Sequence, residues 1–138
     1  MNPAKQSVKA LKTKCNKLFS QYIRRKYSDK HEMAECFTCG TKRHWSDLQC
    51  GHGISGRGNY VLYLEEICRP QCAYCNVLLS GRYEIFVPKL HDLYTRQVFE
   101  EWEQNARKPF KRTKADYIEL VYELQGYLKG LDERDQTI

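Results

Sequence analysis

Four of the seven cysteines form two closely spaced pairs, a pattern typical of a metal centre. The pairs are Cys36-Phe-Thr-Cys39 and Cys72-Ala-Tyr-Cys75, and 32 residues separate them. Zinc prefers four soft ligands in a tetrahedron, and each Cys-x-x-Cys turn supplies two thiolates to one side of it. We therefore predict a structural zinc site formed by these four cysteines. A redox-active Cys-x-x-Cys or a set of buried thiols would not explain two pairs.

The remaining cysteines are Cys15, Cys50 and Cys68. An odd total argues against a disulfide framework, because such a framework pairs its cysteines. Cys68 lies shortly before the second pair and is an alternative zinc ligand with a less usual spacing. Cys15 and Cys50 are most simply interpreted as small buried apolar side chains.

His52 and Asn76 are the residues best suited to act beside this zinc site. His52 lies in a predicted strand, and histidine is the side chain most often used as a general base that activates water. Asn76 directly follows the second cysteine pair, and hard cations such as Mg²⁺ or Mn²⁺ prefer oxygen ligands such as its amide. A strand histidine and a helix ligand clamped by one zinc site form the ββα-metal (HNH) nuclease arrangement. The alternative is a histidine with a purely structural role.

The first ligand of a catalytic cation is left open by the residues. Asp47 is a candidate, as is Gln49 on the same strand, and Glu65 or Glu66 could reach in from the next strand. Strand alternation places Asp47 and Gln49 on the face opposite His52, so a bulge or bend would be needed. His52 could itself bind the cation, which would leave the base unassigned.

Long helices are predicted at both ends of the chain. Apolar residues recur at helical spacing over residues 3–27, and Asn2 followed by Pro3 suits a helix start. A last helix opens after Thr113, which forms a weak capping-box match with Asp116. Its apolar stripe is a candidate dimer interface, or it packs onto its own domain. The stripe consists of Tyr117, Ile118, Val121, Leu124, Leu128 and Leu131.

Shorter elements are predicted between these helices. Two strands at 48–54 and 60–68 flank a glycine-rich turn, and a short helix follows at 72–81. Residues 83–107 are predicted to be mostly helical, with Pro88 and Thr95 marking a break and a new start. The predicted fold class is α+β, in a single domain covering residues 1–138. It comprises a basic N-terminal helix (1–30), a zinc-stabilised ββα-metal (HNH-like) core (34–82) and C-terminal helices (83–138).

The charge is concentrated at the N-terminus. The net charge is +6, and residues 1–30 hold nine Lys/Arg against one acidic residue. A basic arm of this kind favours a polyanion partner such as DNA, although a solvated lysine-rich face is the plain alternative. No stretch approaches the roughly 18 apolar residues of a membrane helix. We therefore expect no membrane partner and a cytoplasmic location. The candidate phosphate contacts are Arg24, Arg25, Lys26, Arg57 and Arg82.

These motifs together resemble the NinG (Rap) recombination nucleases of lambdoid phages, which are related to T4-type endonuclease VII. The matching residues are Cys36-x-x-Cys39-Gly40, Trp45, Leu48-Gln49-Cys50-Gly51-His52-Gly53-Ile54-Ser55, Arg57, Gln71-Cys72-x-x-Cys75-Asn76 and Ser80-Gly81. The resemblance implies a dimeric endonuclease that cleaves branched or double-stranded DNA, including Holliday junctions, in the bacterial host cytoplasm. It also implies that the four paired cysteines hold zinc, that His52 is the base and that Asn76 binds the catalytic metal.

The sequence departs from this resemblance at two positions. The endonuclease VII type has an acid immediately before the histidine, where this chain has Gly51. The NinG type often has an asparagine where this chain has Ile67. Two other functions therefore remain as alternatives. One is a zinc-containing nucleic-acid-binding module without nuclease activity, and the other is a phage protein that binds a host enzyme.

Overall fold

Two long helices at the ends of the chain frame a set of short strands and turns. The computed structural model describes residues 2–55 and 59–137, except for the side chain of Asn59. The helices are α1 (Val8–Lys26), α2 (Asn59–Leu62), α3 (Tyr83–Leu93), α4 (Arg96–Ala106) and α5 (Lys114–Gln136). The strands are β1 (Met33–Glu35), β2 (Lys42–His44), β3 (Gln49–His52) and β4 (Cys68–Gln71). Short 3-10 turns lie at Pro3–Lys5, Trp45–Asp47 and Glu65–Ile67, and a π-helical turn at Tyr74–Leu78.

The N-terminal helix predicted over residues 3–27 is confirmed, with a short turn in front of it. Asn2 caps that turn, and Ser7 Oγ accepts a hydrogen bond from the Ala10 backbone N–H at 3.1 Å. A serine in this position satisfies an otherwise unpaired donor at a helix start. The α-helix therefore begins at Val8.

The C-terminal helix begins with the predicted capping box. The Thr113 N–H donates to Asp116 Oδ2 at 2.7 Å, and the Asp116 N–H donates to Thr113 Oγ1 at 3.2 Å. These reciprocal bonds satisfy backbone donors that the helix itself leaves free. The weak sequence match thus marks the true start of α5.

The apolar stripe of α5 packs against α1 within the chain. Tyr117 and Val121 form one buried cluster with Leu11 and Cys15. Leu124 joins a second, larger cluster that contains residues of α1, α3 and α4. Four of the six stripe residues are buried within the chain, which favours the alternative that the stripe packs onto its own domain. Burial of the stripe follows the usual behaviour of an amphipathic helix, which turns its apolar face to its own core.

Two small antiparallel sheets lie between the helices, in agreement with the predicted α+β class. In the first, β1 pairs with β2, and Ala34 lies opposite Arg43. In the second, β3 pairs with β4, so that Gln49 lies opposite Gln71 and His52 lies opposite Cys68. This second strand pair, called the β3–β4 hairpin below, contains His52, and Cys72 directly follows its last residue.

Two secondary-structure predictions in this region are wrong. Residues 60–68 are not one strand, because α2 and a 3-10 turn precede β4. Their apolar residues form a nearly continuous run, which periodicity alone does not assign to a strand or a helix. Pro88 does not break α3, which continues through it to Leu93. The new helix start at Thr95 is confirmed, since its side chain caps α4.

Candidate functional site

The four paired cysteines come together as predicted. The sulfur atoms of Cys36, Cys39, Cys72 and Cys75 all lie within 4.8 Å of one another, and the Cys39 and Cys72 sulfurs are 3.8 Å apart. Gly40 closes the first turn with a φ of 78°, and its N–H donates to the Cys36 carbonyl at 2.9 Å. The cluster, called the four-thiol cluster below, joins the end of β1 to the turn after β4. Its donors could hold a metal such as zinc.

The thiols of this cluster differ in their pKa values. Burial opposes ionisation of Cys36, but hydrogen bonds from Thr38 and from nearby backbone amides lower its pKa to about 6. A backbone hydrogen bond from Thr41 lowers the pKa of Cys39, but burial and its neighbouring thiols raise it to about 12. One thiolate therefore forms easily, and further negative charge is opposed. A divalent cation at the centre would offset that repulsion.

His52 and Asn76 line one cavity, between α1 and the β3–β4 hairpin. The cavity has a volume of about 290 Å³. Residues from α1, β3, α2 and the π-helical turn contribute to its wall. The lining residues are Asn16, Phe19, Ser20, Gln49, Cys50, His52, Leu62, Tyr63 and Asn76. The structure therefore brings together the two residues that the sequence selected for catalysis.

A backbone carbonyl sets the tautomer of His52. Its Nε2 atom lies 3.0 Å from the Leu62 carbonyl oxygen. A carbonyl only accepts hydrogen bonds, so Nε2 carries the proton and Nδ1 of the neutral ring keeps its lone pair. Nδ1 can then accept a proton from water or bind a metal. Sequence analysis did not identify Leu62, because a backbone carbonyl leaves no signal in residue type.

Asn76 is positioned by the four-thiol cluster and by Gln49. Its N–H donates to the Cys72 carbonyl at 2.9 Å, and its side-chain Nδ2 donates to Gln49 Oε1 at 2.8 Å. The placement of Gln49 corrects the expectation from strand alternation. Gln49 begins β3, and its long side chain reaches the π-helical turn, so it lines the same cavity as His52.

No carboxylate is among the described residues that line this cavity. Asp47 is exposed at the end of a 3-10 turn, and Glu66 is also exposed. Glu65 pairs with Lys26 and accepts a hydrogen bond from Tyr22 at 3.0 Å. None of the three acids lines the cavity, so the structure gives no support to Asp47 as a metal ligand.

The position before His52 is too crowded for an acidic side chain. A Cβ atom at Gly51 would lie 2.1 Å from Gln71 Oε1 and 3.0 Å from a ring carbon of Phe86. Gln71 is fully buried, and its Nε2 donates to Thr38 Oγ1 at 3.0 Å and to the Gly81 carbonyl at 2.8 Å. Glycine is therefore required here by close packing.

Most of the predicted phosphate contacts are used within the molecule. Arg25 is buried and forms ion pairs with Asp132 at 2.8 Å and Asp135 at 3.2 Å. Arg24 lies over the Trp45 ring, with 5.3 Å from its guanidinium carbon to the ring centroid. Lys26 forms an ion pair with Glu65. Arg25 in particular has only 11% of its side-chain surface exposed, and its guanidinium is already paired with two carboxylates.

Arg82 and Arg57 are the other two predicted phosphate contacts. Arg82 donates from Nη1 to the Cys75 sulfur at 3.6 Å, so it lies at the four-thiol cluster. Arg57 lies outside the described residues. Lys5, Lys9, Lys12 and Lys17 are exposed at the N-terminus and along α1.

A second cluster of metal-ligating side chains lies on the same hairpin as His52. The sulfurs of Cys50 and Cys68 and a ring nitrogen of His52 lie within 4.8 Å of one another. Cys68 is therefore not a member of the four-thiol cluster, which corrects its interpretation as an alternative ligand there. Burial raises the pKa of the Cys68 thiol, and its sulfur donates to the Leu64 carbonyl at 3.2 Å.

The fold is that of a small α+β protein with two short antiparallel sheets. The four-thiol cluster joins these sheets, and a cavity lined by His52 and Asn76 lies nearby. The family model described as "Bacteriophage Lambda NinG protein" matches residues 2–134. The chain belongs to this phage NinG family. No curated protein and no solved structure matches it. In the described part of the chain, no helix has the length and apolar character needed to cross a membrane.

Proposed function

We propose that this protein is an endonuclease that hydrolyses phosphodiester bonds in branched DNA, such as Holliday junctions, during phage recombination. The observation that carries the proposal is the meeting of His52 and Asn76 in one cavity, with Nδ1 of His52 left as an acceptor. The order of two antiparallel strands followed by a helical turn supports the proposal of a ββα-metal core. Membership of the phage NinG family supports the proposed role in phage recombination.

The chemistry assigned to His52 is that of a general base. Its Nδ1 accepts a proton from water while the water oxygen forms a bond to phosphorus and the bond to the leaving sugar oxygen breaks. The Leu62 carbonyl favours this step, because it holds the ring and stabilises the positive charge that the ring gains. Replacing the base typically lowers the rate by about 10²- to 10⁴-fold.

The lining residues do not form a complete site for a hard catalytic cation. Asn76 and Gln49 supply amide oxygens, but Mg²⁺ in proteins is usually held by one or two carboxylates together with water and substrate phosphate. The described lining has no carboxylate. A Mg²⁺ or Mn²⁺ ion at this cavity would need substrate phosphate and water to complete its ligands.

The surface of α1 provides a route for a DNA backbone to this cavity. Lys12 is exposed, while Asn16 and Ser20 follow at intervals of four residues and line the cavity. Residues four apart share a helix face. Lysine contacts to phosphate give affinity that is independent of sequence and falls steeply with salt, as expected for an enzyme that recognises DNA shape.

Two nicks on opposing strands are needed to resolve a four-way junction, and one site of this kind makes one nick. We therefore propose a homodimer with two-fold symmetry. Tyr117, Val121 and Leu124 of the α5 stripe are buried within the chain, so we expect the dimer contact to use a different surface.

A second candidate function is a DNA-binding module without nuclease activity. The missing carboxylate and the crowded Gly51 position favour it. The two functions differ in one measurable respect. Both predict binding to DNA that weakens with salt, but only the first predicts strand cleavage.

The test uses a synthetic four-way junction and a linear duplex of matched sequence, each incubated with Mg²⁺, Mn²⁺ or EDTA. We expect nicking of the junction with a divalent ion and none with EDTA. His52→Ala should lose cleavage and keep DNA binding. His31→Ala is the matched control, since His31 is an exposed histidine away from the cavity. Binding without cleavage under every condition would favour the second candidate, and equal loss of both activities in His52→Ala would indicate a structural histidine.

A further inference from the structure

The face of the β3–β4 hairpin that bears His52 also bears two cysteines. His52 and Cys68 are direct partners in the antiparallel register, and Cys50 lies two residues before His52 on the same strand. Residues two apart on a strand project to the same face, so the pairing brings all three side chains together. Their ligand atoms lie within 4.8 Å of one another.

We propose that Cys50, His52 and Cys68 form a second metal site, specific for a borderline or soft divalent cation such as Zn²⁺. The donor set is two sulfurs and one imidazole nitrogen, which suits zinc and does not suit Mg²⁺. The four-thiol cluster contributes none of these atoms, so this site would hold a second ion.

The surroundings of His52 match those of a metal-binding histidine. Such histidines generally donate their other ring N–H to a carboxylate or backbone carbonyl, which fixes the ring and raises its basicity. The Leu62 carbonyl has this role for Nε2 here, which leaves Nδ1 for the ion. Cys68 is fully buried beneath the site, whereas Cys50 and His52 line the cavity.

This arrangement would give an ion three protein ligands and leave a fourth position open, and two of the three ligands line the cavity. Three protein ligands with one open position is the pattern of zinc sites that bind water or another ligand, in contrast to closed four-cysteine sites. An ion held there would also occupy Nδ1 and so prevent His52 from acting as a base. That consequence rests on the proposed function, whereas the binding of the ion does not.

The test is the zinc content of the full chain after equilibration with Zn²⁺ and removal of unbound metal. We expect two zinc ions per chain for the unaltered protein and one for Cys50→Ser and for Cys68→Ser. Cys15→Ser should retain two, because it removes a buried thiol from the α1–α5 contact and touches neither cluster. Titration with Co²⁺ adds a spectroscopic measurement, since each thiolate bound to Co²⁺ contributes a charge-transfer band.

Two results would overturn the proposal. One is a single zinc ion in the unaltered protein at saturation, and the other is a second ion that persists in both Cys50→Ser and Cys68→Ser. Cys50 is only partly buried, so Cys50→Ser provides the answer if Cys68→Ser does not fold. Neither outcome depends on cleavage, so loss of the nuclease proposal leaves this test unaffected.

Discussion

The α1–α5 helix pair and the segment from β1 to the π-helical turn are held together by different forces. The helices have 19 and 23 residues, begin at side-chain caps and bury apolar residues against each other. The strands of the other segment have only three or four residues, and its last helical element is a single turn. Elements this short form few internal hydrogen bonds and bury little surface by themselves.

The four-thiol cluster lies in the region of short elements. It joins the turn after β1 to the turn after β4, so a metal bound there would link two short strands that are distant in the sequence. A structural metal can contribute as much stabilisation as an entire small core. The helix pair needs no such support, because burial of its apolar stripe stabilises it.

Removal of the metal should give the largest difference in stability between the two regions. A zinc chelator, or Cys72→Ser, should lower the free energy of unfolding of the segment 33–82 by on the order of 10 kcal/mol. Amide hydrogen exchange measured residue by residue should then show loss of protection in this segment while α1 and α5 keep more of theirs. Acidification should act in the same direction, because protons compete with the metal for the thiolates. A metal-free protein with unchanged protection throughout would contradict the assigned role of the cluster.

A core deletion should affect the helix pair instead. Leu11 is fully buried against α5, and Leu11→Ala should cost about 2–5 kcal/mol through lost burial and the cavity that remains. Urea denaturation followed by circular dichroism measures this loss, and the zinc content should not change. Val8→Ala is the control on the same helix, since Val8 is 43% exposed, and it should have little effect. Equal losses for both variants would show that α1 is not held by this face.

A substitution at the hairpin should have a smaller effect that is local to the site. Gly51→Ala places a methyl group against Gln71 and Phe86, and overpacking of this kind costs about 1–3 kcal/mol. We expect a lower urea midpoint and perturbed NMR signals for His52, with the four-thiol cluster still loaded. An alanine variant as stable as the parent would mean that the position has room for a larger side chain, and an acid there would again be plausible as a ligand.

Removal of the α5 cap should have the smallest effect. Thr113→Ala deletes the hydroxyl that accepts the Asp116 N–H, and loss of an N-cap costs about 1 kcal/mol. Thermal unfolding should show a small decrease in midpoint, and Thr113→Ser should restore the parent value. A serine variant that behaves like the alanine variant would indicate that the threonine methyl group, and not the cap, matters here.

Local spacing in the sequence was enough to identify the features that depend on near neighbours. The two Cys-x-x-Cys pairs, the Thr113 capping box and the helix over residues 3–27 each involve residues a few positions apart. The sequence also predicts that the two cysteine turns meet, because a tetrahedral zinc site needs four soft ligands. The run at 60–68 was misassigned, because a short apolar segment fits a strand and a helix equally well.

Contacts between distant parts of the chain were decided only by the tertiary structure. Residue types alone could not show that Arg25 would be buried against Asp132 and Asp135, or that Gln49 would reach Asn76. The same holds for the meeting of Cys50 and Cys68 at His52, which depends on the register of two strands. A one-residue change of register reverses which side chains share a face, so the chemistry of this hairpin is fixed by pairing and not by composition.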